Sequence, residues 1–112
     1  MELRHLRYFV AVAEAGSLTV AAEQTLHTSL PSLSRQIRDL EDEVGARLLT
    51  RRARGIELTP AGRAFLEHAR VVLSQVEAAA EAVRRVLRVV IDNYLKVSGV
   101  NITPQHEWTT TP

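Results

Sequence analysis

Arginine and serine side chains are concentrated in two short stretches of this 112-residue chain. Residues 29–38 carry serines and the bases Arg35 and Arg38 without an acidic residue, and residues 47–54 hold four arginines, again without an acid. Guanidinium groups bind phosphate and guanine bidentately, and hydroxyls donate to phosphate. DNA is therefore the leading candidate ligand. Every basic residue before Lys96 is arginine or histidine, never lysine, which a GC-rich coding sequence would explain equally well.

Composition argues against an enzyme, a metal site and a membrane protein. The chain has no cysteine, which excludes disulfides and thiolate zinc sites, and its four histidines are scattered without metal-ligand spacing. No nucleophile-elbow or phosphate-loop motif is present, so we predict no catalytic residue, no metal and no cofactor. A signal peptide and an apolar run of membrane-spanning length are both missing, and a cytoplasmic protein is expected. The net charge of +1 is not by itself that of a nucleic-acid-binding protein.

The first of these stretches predicts the start of a helix over residues 29–44. Ser29 can cap the free N–H groups, Pro31 suits the first turn, and Gly45 suits the helix end. Bases occupy the N-terminal half of the exposed face and acids the C-terminal half, which is the reverse of what the helix dipole favours. An anionic partner that meets the first turns would explain this order. One apolar stripe predicts the buried face: Leu33, Ile37, Leu40 and Val44.

Two predicted helices come before this one. Residues 3–15 form a helix that Gly16 ends, and Ser17 caps a short second helix that runs to about Thr25. Residues 27–29 then make a turn into the third helix. This arrangement is typical of a helix-turn-helix, although the pattern alone also occurs in other all-α proteins.

The arginine-rich second stretch predicts a small β-hairpin. Two apolar segments, residues 47–52 and 56–58, flank a turn that contains Gly55 and carries Arg52 and Arg54 at its tip. A hairpin that follows a helix-turn-helix is a wing, and arginines at its tip can bind phosphate or enter a minor groove. The alternative is a solvated turn without a partner.

A long helix is predicted next, over residues 60–90, with Thr59 as cap and Pro60 in the first turn. Apolar residues recur in two seven-residue series, as in a coiled coil. We therefore predict that this linker helix pairs two subunits. The alternatives are a helix that folds back on its own domain and a helix left over from a larger protein. The predicted dimer contacts are Phe65, Ala69, Val72, Val76, Ala79, Val83 and Val86.

Residues 91–112 differ from the rest of the chain in composition. They hold the only tryptophan, the only lysine and the only two asparagines. The heptad pattern stops at Asn93, and Ser98 with Gly99 is expected to break any helix. The predicted organisation is a winged helix-turn-helix domain at 1–59, a linker helix at 60–90, and a disordered or non-native tail at 91–112.

Residues 1 to about 90 resemble the N-terminal DNA-binding domain of LysR-type bacterial transcriptional regulators. The longest blocks that carry the resemblance are LRYFVAVAE at 6–14, SLTVAA at 17–22, PSLSRQI at 31–37 and LTPAG at 58–62. Shorter matches lie between them: LE at 40–41, VG at 44–45, LL at 48–49 and Arg51. Several blocks resemble the branch that controls degradation of aromatic compounds. The resemblance implies a mainly α fold: a winged helix-turn-helix with a small β-hairpin wing, followed by a long coiled-coil linker helix.

The resemblance also implies a homodimer on double-stranded DNA with an interrupted palindromic operator. Family members carry a C-terminal inducer-binding domain that residues 91–112 cannot supply, so we expect DNA binding without inducer sensing. By position, Thr28 and Ser29 would approach the DNA backbone, and Arg54 the minor groove. The full predicted DNA-binding set is Thr28, Ser29, Leu30, Pro31, Ser32, Ser34, Arg35, Arg38, Arg52 and Arg54.

Two departures from the family pattern stand out. The segment between Ala22 and Pro31 is one residue longer than in many members, and Leu30 stands where glutamine is common. Glutamine can bind adenine bidentately, whereas leucine can only contact a thymine methyl or pack. The competing interpretation of the whole chain is a coiled-coil protein-interaction module that does not bind DNA, and the acid-poor arginine stretches argue against it.

Overall fold

The computed structural model describes residues 1–99 and is mainly helical, with one two-stranded sheet. The predicted fold class is confirmed. The chain forms two compact units, Met1–Ser74 and a second that begins at Gln75. In chain order the elements are α1 (Leu3–Ala15), α2 (Leu18–Val20), a π-helical segment (Ala21–Leu26), α3 (Leu30–Val44), β1 (Leu49–Arg52), β2 (Gly55–Leu58) and α4 (Pro60–Ser98).

Local signals set the ends of α1 and α3 as predicted. Gly16 and Gly45 adopt the left-handed conformation, with φ of 69° and 76°, and each donates its N–H to the last turn of its helix. Ser29 caps α3 by accepting a hydrogen bond from the N–H of Ser32 at 3.2 Å. These contacts lie within a few residues of one another, which is why the sequence suffices to locate them.

The second helix differs from its prediction. Only its first three residues are α-helical, and the following six, Ala21–Leu26, are π-helical. A π turn closes its hydrogen bond over one more residue than an α turn. The π-helical segment is therefore the place that would accommodate the additional residue expected between Ala22 and Pro31. His27 ends it with φ of 51°, and the N–H of Thr28 bonds to the carbonyl of Ala22 at 3.0 Å.

The core of the first unit lies between α1, α3 and the start of the wing (β1 and β2, residues 49–58). Its largest fully buried side chains are Phe9, Val12, Leu33, Leu40 and Leu48. The wing packs against this core through Leu49, which is 5% exposed. It is also bonded to the end of α1, since the N–H of Ile56 donates to the carbonyl of Gly16 at 3.0 Å. The strands are antiparallel, with Leu49 opposite Leu58 and Arg52 opposite Gly55.

The start of α4 belongs to this first unit, so the compact domain extends past the predicted boundary at residue 59. The Phe65 ring meets Phe9 edge to face, with 5.3 Å between centroids, and Ala69 is only 2% exposed. Packing within the domain thus occupies Ala69 and part of the half-buried Phe65, and their contact with a second subunit stays a prediction.

The second unit contains the rest of α4, which runs to Ser98 rather than ending at residue 90. Residues 91–98 contain neither proline nor glycine, and a single asparagine is too weak a breaker to stop a helix. Gly99, in the left-handed conformation, follows the last turn, as the sequence predicted. The assignment of this stretch to a disordered tail is therefore wrong for residues 91–98, and residues 100–112 lie outside the described part of the chain.

Candidate nucleic-acid interface

The first two turns of α3 present an exposed, acid-free surface. Ser29, Pro31, Ser32, Arg35 and Arg38 are all exposed. Arg35 and Arg38 form no ion pair within residues 1–99, so both guanidinium groups can bind a partner. Leu30, the first residue of α3, is 39% exposed and lies on the same surface.

Ser34 connects this surface to the wing. Its hydroxyl accepts a hydrogen bond from Nη2 of Arg51 at 3.0 Å, so a base of β1 lies directly beside α3. Arg51 is absent from the set predicted to bind DNA. The sequence held two signals for it: Arg51 belongs to the arginine-rich stretch at residues 47–54, and it lies two residues after Leu49 and hence on the same side of β1.

The two arginines predicted at the wing tip differ in their surroundings. Nη2 of Arg52 donates to Oε1 of Glu57 across the hairpin at 2.8 Å. Arg54 lies in the exposed turn between the strands and pairs with no acid within the described residues. Arg54 is therefore the tip guanidinium that is available to a phosphate or a minor groove, while Arg52 is neutralised by its neighbour.

A polar cleft of about 300 Å³ separates α3 from the wing. Three of its lining residues are arginines: Arg38 from α3, Arg51 from β1, and Arg47 from the connection between them. The Arg47 side chain is 80% exposed and lies 3.8 Å from the carboxylate of Glu41. The cleft is thus a positively charged concavity beside the exposed start of α3. We name it the α3–wing cleft.

Thr28 lies at the N-terminal edge of this surface. It is half-buried, and its N–H donates a hydrogen bond to the carbonyl of Ala22. It directly precedes Ser29, the cap of α3. The predicted contacts of Thr28 and Ser29 with a DNA backbone remain predictions.

The predicted dimer positions beyond Ala69 are open to contact. In the first unit Val72 is 41% exposed, and in the second unit Val83 and Val86 are 60% and 61% exposed. Ala79 is also exposed and Val76 is half-buried.

One carboxyl of the second unit, that of Glu81, lies between two arginines. Hydrogen bonds from Arg88 at 2.7 Å and Arg84 at 3.2 Å hold the pKa of the Glu81 carboxyl below its ordinary value. Glu81 is thus an ion-paired carboxylate on α4.

Other kinds of site find no support in the described residues. Between residues 1 and 99, no three histidine, aspartate or glutamate side chains come together in a way that could hold a metal. Over the same range, no helix is both long and apolar enough to cross a membrane.

Comparison with known proteins identifies the domain that carries this surface. Residues 3–63 match the family model described as the bacterial regulatory helix-turn-helix protein, lysR family. The Hca operon transcriptional activator HcaR of Escherichia coli is 50% identical over 108 residues, which cover 94% of this chain and 36% of that protein. Because this match covers 94% of the chain, and residues 1–90 make up only about four-fifths of it, the match extends beyond residue 90. The regulator TfdT of Cupriavidus pinatubonensis is 56% identical over 77 residues, covering 69% of this chain and 33% of that protein.

Solved structures agree with the sequence comparison. A crystal structure of the CbnR DNA-binding domain in complex with DNA has a TM-score of 0.73 and 48% identity, covering 78% of this chain and 99% of that chain. The BenM DNA-binding domain in complex with catB site 1 DNA has the same TM-score and 47% identity, covering 78% and 97%. The chain spans about a third of the length of its curated relatives HcaR and TfdT.

Proposed function

Because the chain belongs to the LysR family of bacterial regulatory helix-turn-helix proteins, we propose that residues 1–74 bind double-stranded DNA and select its sequence through α3. One observation carries this proposal: the first two turns of α3 present an exposed, acid-free surface, and they lie beside a wing whose Arg51 and Arg54 pair with no described acidic residue. A helix in the major groove contacts base edges with its N-terminal residues, and a neighbouring wing can contact phosphates or the minor groove.

Within this proposal the side chains of α3 have different roles. Arg35 and Arg38 are long enough and free enough to donate to base edges or phosphates, and Leu30 can contact a thymine methyl. Ser29 and Ser32 lie at the positive end of the helix, which attracts phosphate. On the wing, Arg51 and Arg54 are the proposed DNA contacts, whereas Arg52 is weakened as a contact by its ion pair with Glu57.

The proposed binding unit is a homodimer. The exposed valines of α4 recur at the coiled-coil spacing, so two copies of the helix would bury them together. Two identical DNA-binding units joined in this way favour an operator with two inverted half-sites, that is, an interrupted palindrome. The proposed dimer contacts are Val72, Val76, Ala79, Val83 and Val86.

A binding-site selection tests the proposal. The 112-residue chain should enrich duplexes that share a motif, and Arg35→Ala should weaken binding to the selected duplex more than to a random duplex. Arg85→Ala is the matched control, since it removes the same charge from an exposed position of α4. Equal losses on both duplexes would contradict base reading by Arg35. Failure to bind any duplex at low salt would instead favour the protein-interaction module.

The curated relatives HcaR and TfdT are transcriptional regulators, and we extend that role, rather than an enzymatic one, to the protein that contains this domain. We place it in the cytoplasm, where a bacterial regulator meets the chromosome. Inducer sensing would belong to parts of the relatives that this chain does not match, and the aromatic-degradation branch remains a prediction from the sequence blocks.

A further inference from the structure

One acidic residue of α3, Glu41, points into the protein rather than into solvent. Its side chain is 11% exposed, whereas the neighbouring Asp42 and Glu43 are exposed. Its carboxylate oxygen Oε2 accepts hydrogen bonds from the backbone N–H groups of Leu48 at 2.8 Å and Leu49 at 3.2 Å. Glu41 therefore binds the backbone at the point where the wing begins.

The same face of α3 contacts the wing a second time. Ser34 lies seven residues before Glu41, and this spacing places the two side chains on one side of the helix, two turns apart. Ser34 accepts its hydrogen bond from Arg51, and Leu49 and Arg51 share one side of β1. The N–H of Leu49, which Glu41 binds, is thus two residues from Arg51, which Ser34 binds. Residues of both contacts line the α3–wing cleft.

A carboxylate is an unexpected choice at this position in a DNA-binding domain. Its charge repels phosphates, and it loses hydration when it is removed from water. Two backbone N–H donors and the Arg47 guanidinium, 3.8 Å away, offset the lost hydration. Hydrogen bonds to an ionised acceptor are stronger than those to a neutral one, so the charge holds the wing more firmly than an amide would.

We propose that Glu41 is a positioning residue for DNA recognition: its carboxylate sets the distance between α3 and the wing. The arginines of the wing then meet DNA in register with α3, although Glu41 itself does not contact DNA. This inference rests on the proposed DNA binding. Its consequence is that removal of one negative charge weakens binding, which is the opposite of what charge alone would do.

The test compares Glu41→Ala with Asp42→Ala in the 112-residue chain. Both changes remove one negative charge at adjacent positions, and Asp42 makes no hydrogen bond to the wing within the part of the chain that the structure describes. The probes are a duplex selected from a random pool by the unmodified chain and a random duplex of equal length. We expect Glu41→Ala to bind the selected duplex about tenfold more weakly, the effect of losing one strong interaction, and the random duplex no more weakly than before. Asp42→Ala should lose affinity for neither.

A second readout separates positioning from general stability. Replacement of an A/T-rich flank of the selected duplex by G/C should weaken the unmodified chain, because the narrow minor groove that attracts arginine is lost. The same replacement should not weaken Glu41→Ala, whose wing no longer reaches the flank in register. Glu41→Gln keeps an acceptor oxygen but loses the charge, so its selectivity should fall between that of the unmodified chain and that of Glu41→Ala.

The outcomes distinguish this inference from the proposed function. If circular dichroism shows that Glu41→Ala does not fold, Glu41→Asp, which is one methylene shorter at equal charge, carries the same comparison. A folded Glu41→Ala or Glu41→Asp that retains the selectivity and flank dependence of the unmodified chain would overturn the positioning role alone. Absence of duplex binding by the unmodified chain would overturn both proposals.

Discussion

The guanidinium of Arg51 on the wing donates a hydrogen bond to the hydroxyl of Ser34 on α3, with 3.0 Å between the heavy atoms. This bond joins the two elements that carry the exposed bases of the domain. Arg51 differs in this from its neighbour Arg52, whose guanidinium is paired with the carboxylate of Glu57. Two adjacent arginines of one strand thus have different surroundings, and the difference can be measured.

Arg51→Ala should weaken DNA binding more than Arg52→Ala, although both remove one positive charge. We expect a loss of roughly tenfold for Arg51→Ala and a decrease of about one in the slope of log affinity against log salt, as for one lost phosphate contact. Arg52→Ala should cost less, because Glu57 already neutralises that guanidinium. Fluorescence anisotropy over a salt series measures both variants, and equal losses would argue against the distinction.

Leu30→Gln should change base preference at one base pair in each half-site. An amide at this exposed position can bind adenine bidentately, which the leucine cannot do. Binding-site selection with both proteins measures the change, and Leu30→Ala serves as the control that removes the apolar contact without adding an amide. Identical preferences for the leucine and glutamine proteins would show that this position does not face a base.

Deletion of Thr25 should stabilise the domain. Thr25 is exposed in the π-helical segment, and removal of one residue allows this segment to close α-type hydrogen bonds instead. A gain of about 1 kcal/mol would raise Tm by roughly 4–8 °C. Thermal unfolding followed by circular dichroism measures it, with the length-preserving Thr25→Ala as control. A lower Tm for the deletion alone would mean that the π turn is the better fit between α2 and α3.

Val83→Asp should convert the dimer to a monomer, because it places a charge among the exposed valines proposed to pair. Ala78→Asp introduces the same charge on α4 at a heptad position outside the two apolar series, and it should remain dimeric. Sedimentation velocity distinguishes the two. If both variants keep the mass of the unmodified chain, subunits do not pair through this face.

Gly62→Ala should destabilise the first unit even though alanine is the better helix former. A Cβ at residue 62 would overlap the carbonyl oxygen of Leu48, so α4 would have to move away from the start of the wing. In an open helix the change would stabilise by about 1 kcal/mol, whereas overpacking here should cost about 1–3 kcal/mol. Urea unfolding measures the sign, and a stabilised variant would show that α4 can shift without cost.

Much of the fold follows from neighbouring residues and was therefore predictable. Ser29 and Gly45 bound α3 through contacts with its own turns, and Gly16 does the same for α1. The sequence also predicted the surface of α3, since Arg35 and Arg38 lie off its apolar stripe. It placed the end of α4 incorrectly, because the break in heptad pattern at Asn93 concerns pairing between helices and not helix formation.

The sequence by itself determined the helices and strands, apart from the π-helical segment and the end of α4, and it determined which stretch of α3 is free of acids. Only the tertiary structure decided which charges are available: Arg51 lies beside Ser34, Arg52 is paired with Glu57, and Glu41 is turned inward to the wing. The physical reason is separation along the chain. Caps and apolar periodicity act within one or two turns, whereas Arg51 meets Ser34 from 17 residues away. Such contacts exist only once the core has brought α3 and the wing together.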